Sequence, residues 1–358
     1  MNVSFKDIKG QDSAINFLKG ILKTGRISHA YIFLGPRGIG RKLTALNFAK
    51  ALNCLLEDGE APCGPSVNSG FDPEQRRRIE GCGQCVSCKR IGAANHPDVL
   101  LIEKDGASIK TLRQAQSLYP GRSREIKIGS IREVIRLAGL KPYEARKKVF
   151  IIDDSASMNA ESSNALLKTL EEPPADSIFI LIAESLDSLL ATIVSRCTVV
   201  KFFPLDRNEV KEILTKVYDV DEKKAHILSC ISSGSLGEAL RLKDESFFEK
   251  RSRAIKALQD KTFFDSDFEE LSREDLQAYL DIMLTWYRDI LVAKSGHRKE
   301  SILVNIDKFD DIINEAKETK FEFLYEVIKE IISTGYFLEQ NANPKLAMSV
   351  LGLKLVGN

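Results

Sequence analysis

Apolar residues along this chain follow two arrangements. Over roughly the first two hundred positions, short unbroken apolar runs alternate with stretches in which apolar residues recur every three or four positions. Beyond Leu205 only the second arrangement remains. The runs are Tyr31–Leu34, Asp98–Ile102, Val149–Ile152, Ile178–Ala183 and Thr198–Phe202. A run with no polar alternation predicts a strand buried on both faces. Helical spacing is carried by Ala14, Phe17, Leu18 and Ile21, by Ala45, Phe48, Ala49 and Leu52, and by Ile131, Val134, Ile135 and Ala138. A further helix over 162–172 is stopped by Pro173-Pro174. Strands alternating with helices predict a parallel α/β sheet covered on both faces. Helices over 206–218 and 225–232 follow, then a turn at 234–237 and a third helix from Glu238. Ser272, with Asp275 three residues on, reads as an N-cap. It opens a helix whose stripe is Leu276, Leu280, Met283, Leu284 and Tyr287, with Trp286 and Tyr287 as core anchors. Helices over 321–337 and 344–355 complete the all-helical half.

A length of 358 residues suggests about two or three domains. Lys plus Arg number 52 against 51 Asp plus Glu, a net charge of +1, which excludes a protein that wraps nucleic acid by global charge. The first ten residues lack the basic start and apolar core of a secretion signal. No apolar run approaches the roughly 20 residues that cross a bilayer, so a cytoplasmic protein is expected. Five of the seven cysteines lie between Cys54 and Cys88. That clustering reads as metal binding rather than a disulfide framework. The stretch 55–81 loses periodicity, carries Pro62, Pro65, Pro73 and the run Arg76-Arg77-Arg78, and reads as an insertion with a solvated basic loop. Residues 104–125 read as a polar loop.

Gly35-Pro36-Arg37-Gly38-Ile39-Gly40-Arg41-Lys42 lies between the first strand and the helix after it. Strand, glycine loop and helix in that order make a phosphate-binding loop, whose N–H groups and helix N-terminus cradle an anion. The working pattern ends in Lys followed by Ser or Thr, and here those positions hold Arg41 and Lys42. Asp153-Asp154 ends the third strand. In P-loop ATPases a strand-end aspartate helps to hold Mg²⁺, and Asp154 stands where a longer Glu would polarise the attacking water. Arg196, just before the last strand, could reach a neighbouring subunit's γ-phosphate or could be an ordinary surface arginine. Cys82-x-x-Cys85-x-x-Cys88 can share one tetrahedral zinc. Cys54 is the preferred fourth ligand, with Cys63 and His96 as alternatives, and four protein ligands make the site structural. Cys197 and Cys230 read as core residues; His226 and His297 carry no recognisable partner set, and His29, just before the first strand, stands either where a nucleotide base would sit or in a structural role.

These features resemble the bacterial clamp-loader AAA+ family of DNA polymerase III. The residues that carry the likeness are Ser28–Tyr31, the loop from Gly35 to Gly40, Ala51–Cys54, the three clustered cysteines, His96-Pro97-Asp98, Asn164–Pro174, Ser195-Arg196-Cys197, Trp286–Asp289 and the closing stretch 341–346. The resemblance implies an α/β AAA+ P-loop domain with a zinc-binding insertion (1–204, zinc module about 54–88), a small helical lid (205–243) and an all-α collar (244–358). It implies a five-subunit ring with tau/gamma and delta partners that loads a sliding clamp onto primed DNA, with no membrane contact. Four departures from the active pattern favour a delta-prime-type member over a tau/gamma motor: Arg41-Lys42, Asp154, Ala183-Glu184 in place of a polar sensor, and Gly237 in place of a lid arginine. Such a member would bind structural zinc, would either not bind ATP or not hydrolyse it at the degenerate site of Gly35, Gly38, Gly40, Arg41, Lys42, Asp153 and Asp154, and would lend Arg196 to a neighbour. The rivals are an ATP-hydrolysing tau/gamma-type motor and a zinc-dependent DNA-binding protein.

Overall fold

The computed structural model describes residues 4–55, 79–103, 125–260, 272–297, 299–340 and 342–356. Cys63, the arginine run 76–78 and the polar stretch 104–124 lie outside them. The chain divides into two compact units, Met1–Leu205 and Asp206–Asn358.

The first unit contains α1 (Asp12–Thr24), β1 (Ala30–Leu34), α2 (Arg41–Leu52), α3 (Val86–Gly92), β2 (Val99–Ile102), α4 (Ile128–Ala138), β3 (Lys148–Ile152), α5 (Ala160–Glu171), β4 (Ser177–Ala183), α6 (Ala191–Val194) and β5 (Thr198–Lys201). The five strands form one sheet in the order β2-β3-β4-β1-β5, and every pairing is parallel. Alternate strand residues serve opposite faces. Tyr31, Phe33, Val149, Ile151, Ile180 and Ile182 pack with α1 and α2 through Leu18, Leu22, Phe48 and Leu52. Ile32, Phe150, Ile152, Phe179 and Leu181 pack with α4 and α5 through Ile131, Val134, Leu166 and Leu170. This is an all-parallel α/β architecture of the P-loop kind, with β4 inserted between the loop-bearing β1 and the acid-bearing β3.

The buried stripe of α1 differs from the one read off the sequence. Ala14, Ile15, Leu18 and Leu22 face the sheet, and Phe17 is exposed. Two overlapping helical stripes were compatible with the apolar positions, and packing on the sheet selects the one containing Ile15 and Leu22.

The second unit is helical throughout its described residues: α7 (Arg207–Tyr218), α8 (Glu222–Ile231), α9 (Leu236–Arg241), α10 (Glu245–Gln259), α11 (Arg273–Lys294), α12 (Phe309–Glu318), α13 (Phe321–Glu339) and α14 (Pro344–Val356). Asp206 caps α7 in a reciprocal box with Glu209, and Ser272 caps α11 by accepting from the Asp275 N–H. α9 begins at Leu236, two residues before the expected start, because Ser235 caps it by accepting from the Glu238 N–H. Gly237 is therefore inside a helix and not in a turn. Trp286 is fully buried in the α11 core, as its pattern predicts. His226 is also buried, with Nε2 at 2.8 Å from the Leu303 carbonyl. Among the described residues no helix is long and apolar enough to cross a membrane.

Candidate nucleotide loop and cysteine centre

The glycine loop is held tightly against the sheet. Gly35 has φ +151°, and a β-carbon there would lie 2.5 Å from the Phe202 carbonyl oxygen. Gly38 and Gly40 have φ +71° and +98°, conformations that favour glycine. The Gly35 N–H donates to the Ala183 carbonyl at 3.1 Å. That same carbonyl accepts from Arg41 Nη1 at 2.5 Å. Arg41 is buried, and burial pulls its guanidinium below the usual arginine range while the nearby Glu184 and Asp153 oppose the shift. In a working loop the residue at this position reaches the β- and γ-phosphates. Here it staples the loop to the end of β4.

Lys42 stands at the hydroxyl position. Its ammonium contacts Glu103 Oε1 and lies 3.4 Å from Asp153 Oδ2. Burial works against its charge, but the bonds to Glu103 and Asp153 outweigh that and hold Lys42 above the usual lysine range. Arg37 bridges the other two carboxylates, with Nη2 3.1 Å from Asp154 Oδ2 and Nε against Glu184 Oε1. The Glu184 bond raises the Arg37 guanidinium further. Three cations thus face four carboxylates, and each carboxylate carries an ion pair from the loop. Asp154 has φ +56°, a left-handed conformation uncommon outside glycine. The sequence reading singled out Arg41, Lys42, Asp153 and Asp154 but missed Arg37 and Glu103. Glu103 had a signal: like Asp153 it is the first acid after an apolar strand.

Arg196 follows α6 and is about one-third exposed. Its Nη2 lies 2.7 Å from Glu171 Oε1, and Nη1 donates to the Thr192 carbonyl at 2.9 Å and to Ser195 Oγ at 3.2 Å. Glu171 ends α5, so the Leu-Glu-Glu-Pro-Pro run and the Ser-Arg-Cys run meet in space.

Cys54, Cys82, Cys85 and Cys88 place their four sulfur atoms within 4.8 Å of one another. The Cys82–Cys88 separation is 3.9 Å, close to the ~3.8 Å that a tetrahedron with ~2.3 Å zinc–sulfur bonds requires. Backbone N–H groups are aimed at the sulfurs. Cys82 N–H donates to Cys54 Sγ at 3.4 Å, Gln84 and Cys85 donate to Cys82 Sγ at 3.4 and 3.2 Å, and Cys88 donates to Cys85 Sγ at 3.4 Å. Such donors favour the thiolates that a metal needs. Without an ion, the bond from Cys54 and burial push the Cys88 thiol up. The donor set therefore fits a metal ion. Asn53 positions Cys54: its side-chain amide exchanges two 2.9 Å bonds with the backbone of Lys147. His96 is not in the cluster. It is fully buried, with Nδ1 accepting from the Asp98 N–H at 3.1 Å and Nε2 at 3.2 Å from Ser87 Oγ. Cys197 is half-buried and packs against the core on the α4–α5 face of the sheet, as expected of a core residue, and Cys230 is half-buried. Burial pushes the Cys197 thiol up to about 12.

Comparison with known proteins shows the family of the chain. The profile described as DNA polymerase III, delta subunit, matches residues 10–206, and the profile for the C-terminal part of the delta subunit matches residues 245–355. The chain belongs to the DNA polymerase III delta subunit family. Across full length it is similar to DNA polymerase III subunit delta' of Bacillus subtilis (strain 168), 30% identical over 369 residues that cover 99% of each chain. DNA polymerase III subunit tau of the same organism is 28% identical over 381 residues, covering 98% of this chain and 61% of tau. A solved gamma subunit-related protein of Thermotoga maritima aligns over 96% of this chain and 98% of its own at 18% identity, with a TM-score of 0.40.

Proposed function

We propose that this chain is the delta-prime-type subunit of a DNA polymerase III clamp loader. It would help to load a sliding clamp onto primed DNA without hydrolysing ATP itself. The observation that carries the reading is the contrast between two charged sites. The chain's own loop is neutralised from within by Arg37 and Lys42, whereas Arg196, the arginine of the Ser-Arg-Cys run, is kept at a partly exposed position outside the loop, where Glu171 and the Thr192 carbonyl hold it. A fixed guanidinium of that kind stabilises charge developing on a transferring phosphoryl group. The neighbour it would serve is a tau/gamma-type subunit with an intact loop. The same reading takes residues 205–243 as lid and 244–358 as collar, a start that the profile match from residue 245 supports. It assigns zinc to the four cysteines as a structural ion, for which the sulfur spacing and the donor N–H groups are the support.

The likeness to tau over nearly all of this chain keeps one rival in play, an ATP-hydrolysing motor. Reconstitution separates the two. Mixed with tau/gamma and delta partners, the chain is expected to form a stable complex whose DNA-stimulated ATPase exceeds that of the partners alone. By itself it is expected to show none. Turnover of ATP by the isolated chain would select the motor reading.

A further inference from the structure

We propose that Lys42 is a tethered substitute for the divalent cation of a phosphate-binding loop, and that Glu103 and Asp153 form a latent metal site which this side chain fills. In P-loop ATPases the loop Ser or Thr and a strand-end aspartate hold Mg²⁺ between them. Here the loop residue at that position ends in a cation. Its ammonium meets Asp153, the strand-end aspartate of β3, and Glu103, the acid that follows the adjacent strand β2. The two carboxylates come from neighbouring strands and converge on one nitrogen, as they would on a metal ion.

An ordinary surface ion pair does not account for this geometry. Exposed pairs join one cation to one acid and hold little geometry. Lys42 bridges two acids from the C-terminal edge of the sheet, and Arg37 does the same for Asp154 and Glu184 on the other side of the loop. Among the described residues, Glu103, Asp153, Asp154 and Glu184 each have a loop cation in contact. The loop carries its counter-charge with it. This rests on the reading of a non-hydrolysing loop. Its test uses metal binding by the lone chain, so a failure of the clamp-loader assignment would leave it standing, and the reverse.

Removing the ammonium while keeping its bulk leaves two hard oxygen ligands facing one another, a site suited to Mg²⁺ or Mn²⁺. The zinc-loaded full-length chain is titrated with Mn²⁺ and followed by electron paramagnetic resonance, without nucleotide. Lys42→Met is expected to bind one Mn²⁺ at least tenfold more tightly than the unaltered chain. Lys42→Arg, which restores the cation, is expected to bind no better than the unaltered chain. Lys42→Met combined with Glu103→Gln is expected to lose the gain. If Lys42→Met fails to fold by circular dichroism, Lys42→Thr serves in its place, with the same gain expected. A folded Lys42 variant that binds Mn²⁺ no better than the unaltered chain overturns the proposal. So does one whose gain survives Glu103→Gln, or stoichiometric Mn²⁺ binding by the unaltered chain at comparable affinity.

Discussion

Single residues decide the chemistry of both sites, and their types were readable where their partners were not. Arg41 and Lys42 stand out in the sequence as the wrong residues for a working loop. That Arg41 turns back to the Ala183 carbonyl, and that Lys42 reaches Glu103 across a chain separation of 61 residues, follows from strand order, which no local pattern encodes. His96 is a second case. The sequence offered it as a metal ligand, and burial instead makes it a neutral strut between Ser87 and Asp98. Burial holds its pKa below the ordinary 6.5, while Glu144 and Asp98 pull upward and Arg90 adds to the lowering. Both folded and unfolded chains carry neutral His96 at pH 7. Below 6.5 the unfolded chain takes up a proton that the folded chain resists, so stability falls as pH falls through that window. Asp98 accepts three backbone N–H bonds from Tyr143, Glu144 and Ala145. Burial raises its pKa, but these bonds outweigh that and depress it below the ordinary 3.8, so its own contribution is lost only at lower pH. The urea midpoint is expected to drop between pH 7 and 5.5, and His96→Gln should flatten that drop. An equal slope in both chains would remove His96 as its source.

Among the elements, the strands were the most legible, since a buried parallel strand is an unbroken apolar run; β5, expected to be buried on both faces, is an edge strand and only partly buried. All five lie where the runs predict, within a residue or two at the ends. Short or locally capped helices were less so. α6 has four residues and no periodicity to detect, and α9 starts early on a side-chain cap from Ser235. The cysteine element falls between these cases. Three thiols at two-residue gaps are visible in sequence, but the fourth depends on Asn53 pinning the end of α2 to Lys147 at the start of β3. With zinc bound, the purified chain is expected to hold one equivalent. Cys54→Ser should release it to a chelator far faster than the unaltered chain and lower the thermal midpoint. Stoichiometric, chelator-resistant zinc in Cys54→Ser would move the fourth ligand elsewhere.

For the whole molecule, the division into an α/β unit and a helical unit was visible in the change of apolar pattern near residue 205, and the contacts divide at that point. The helical unit presents apolar side chains to solvent on two consecutive helices. Tyr325, Ile332 and Tyr336 are more than half exposed on α13, as are Leu346 and Leu353 on α14. Both helices also bury residues in their own core. A helix apolar on opposite faces is built to be covered on both. On the reading proposed above, the group that this chain lends to a neighbour is Arg196 of the α/β unit. The most direct test is single-turnover ATP hydrolysis by a loader reconstituted from this chain with tau/gamma and delta partners, in the presence of clamp and primed DNA. With Arg196→Ala the complex is expected to assemble normally, while hydrolysis at the site served by this chain slows by ~10³-fold or more. An unchanged rate in a fully assembled complex would contradict the assignment of Arg196 as the lent catalytic group.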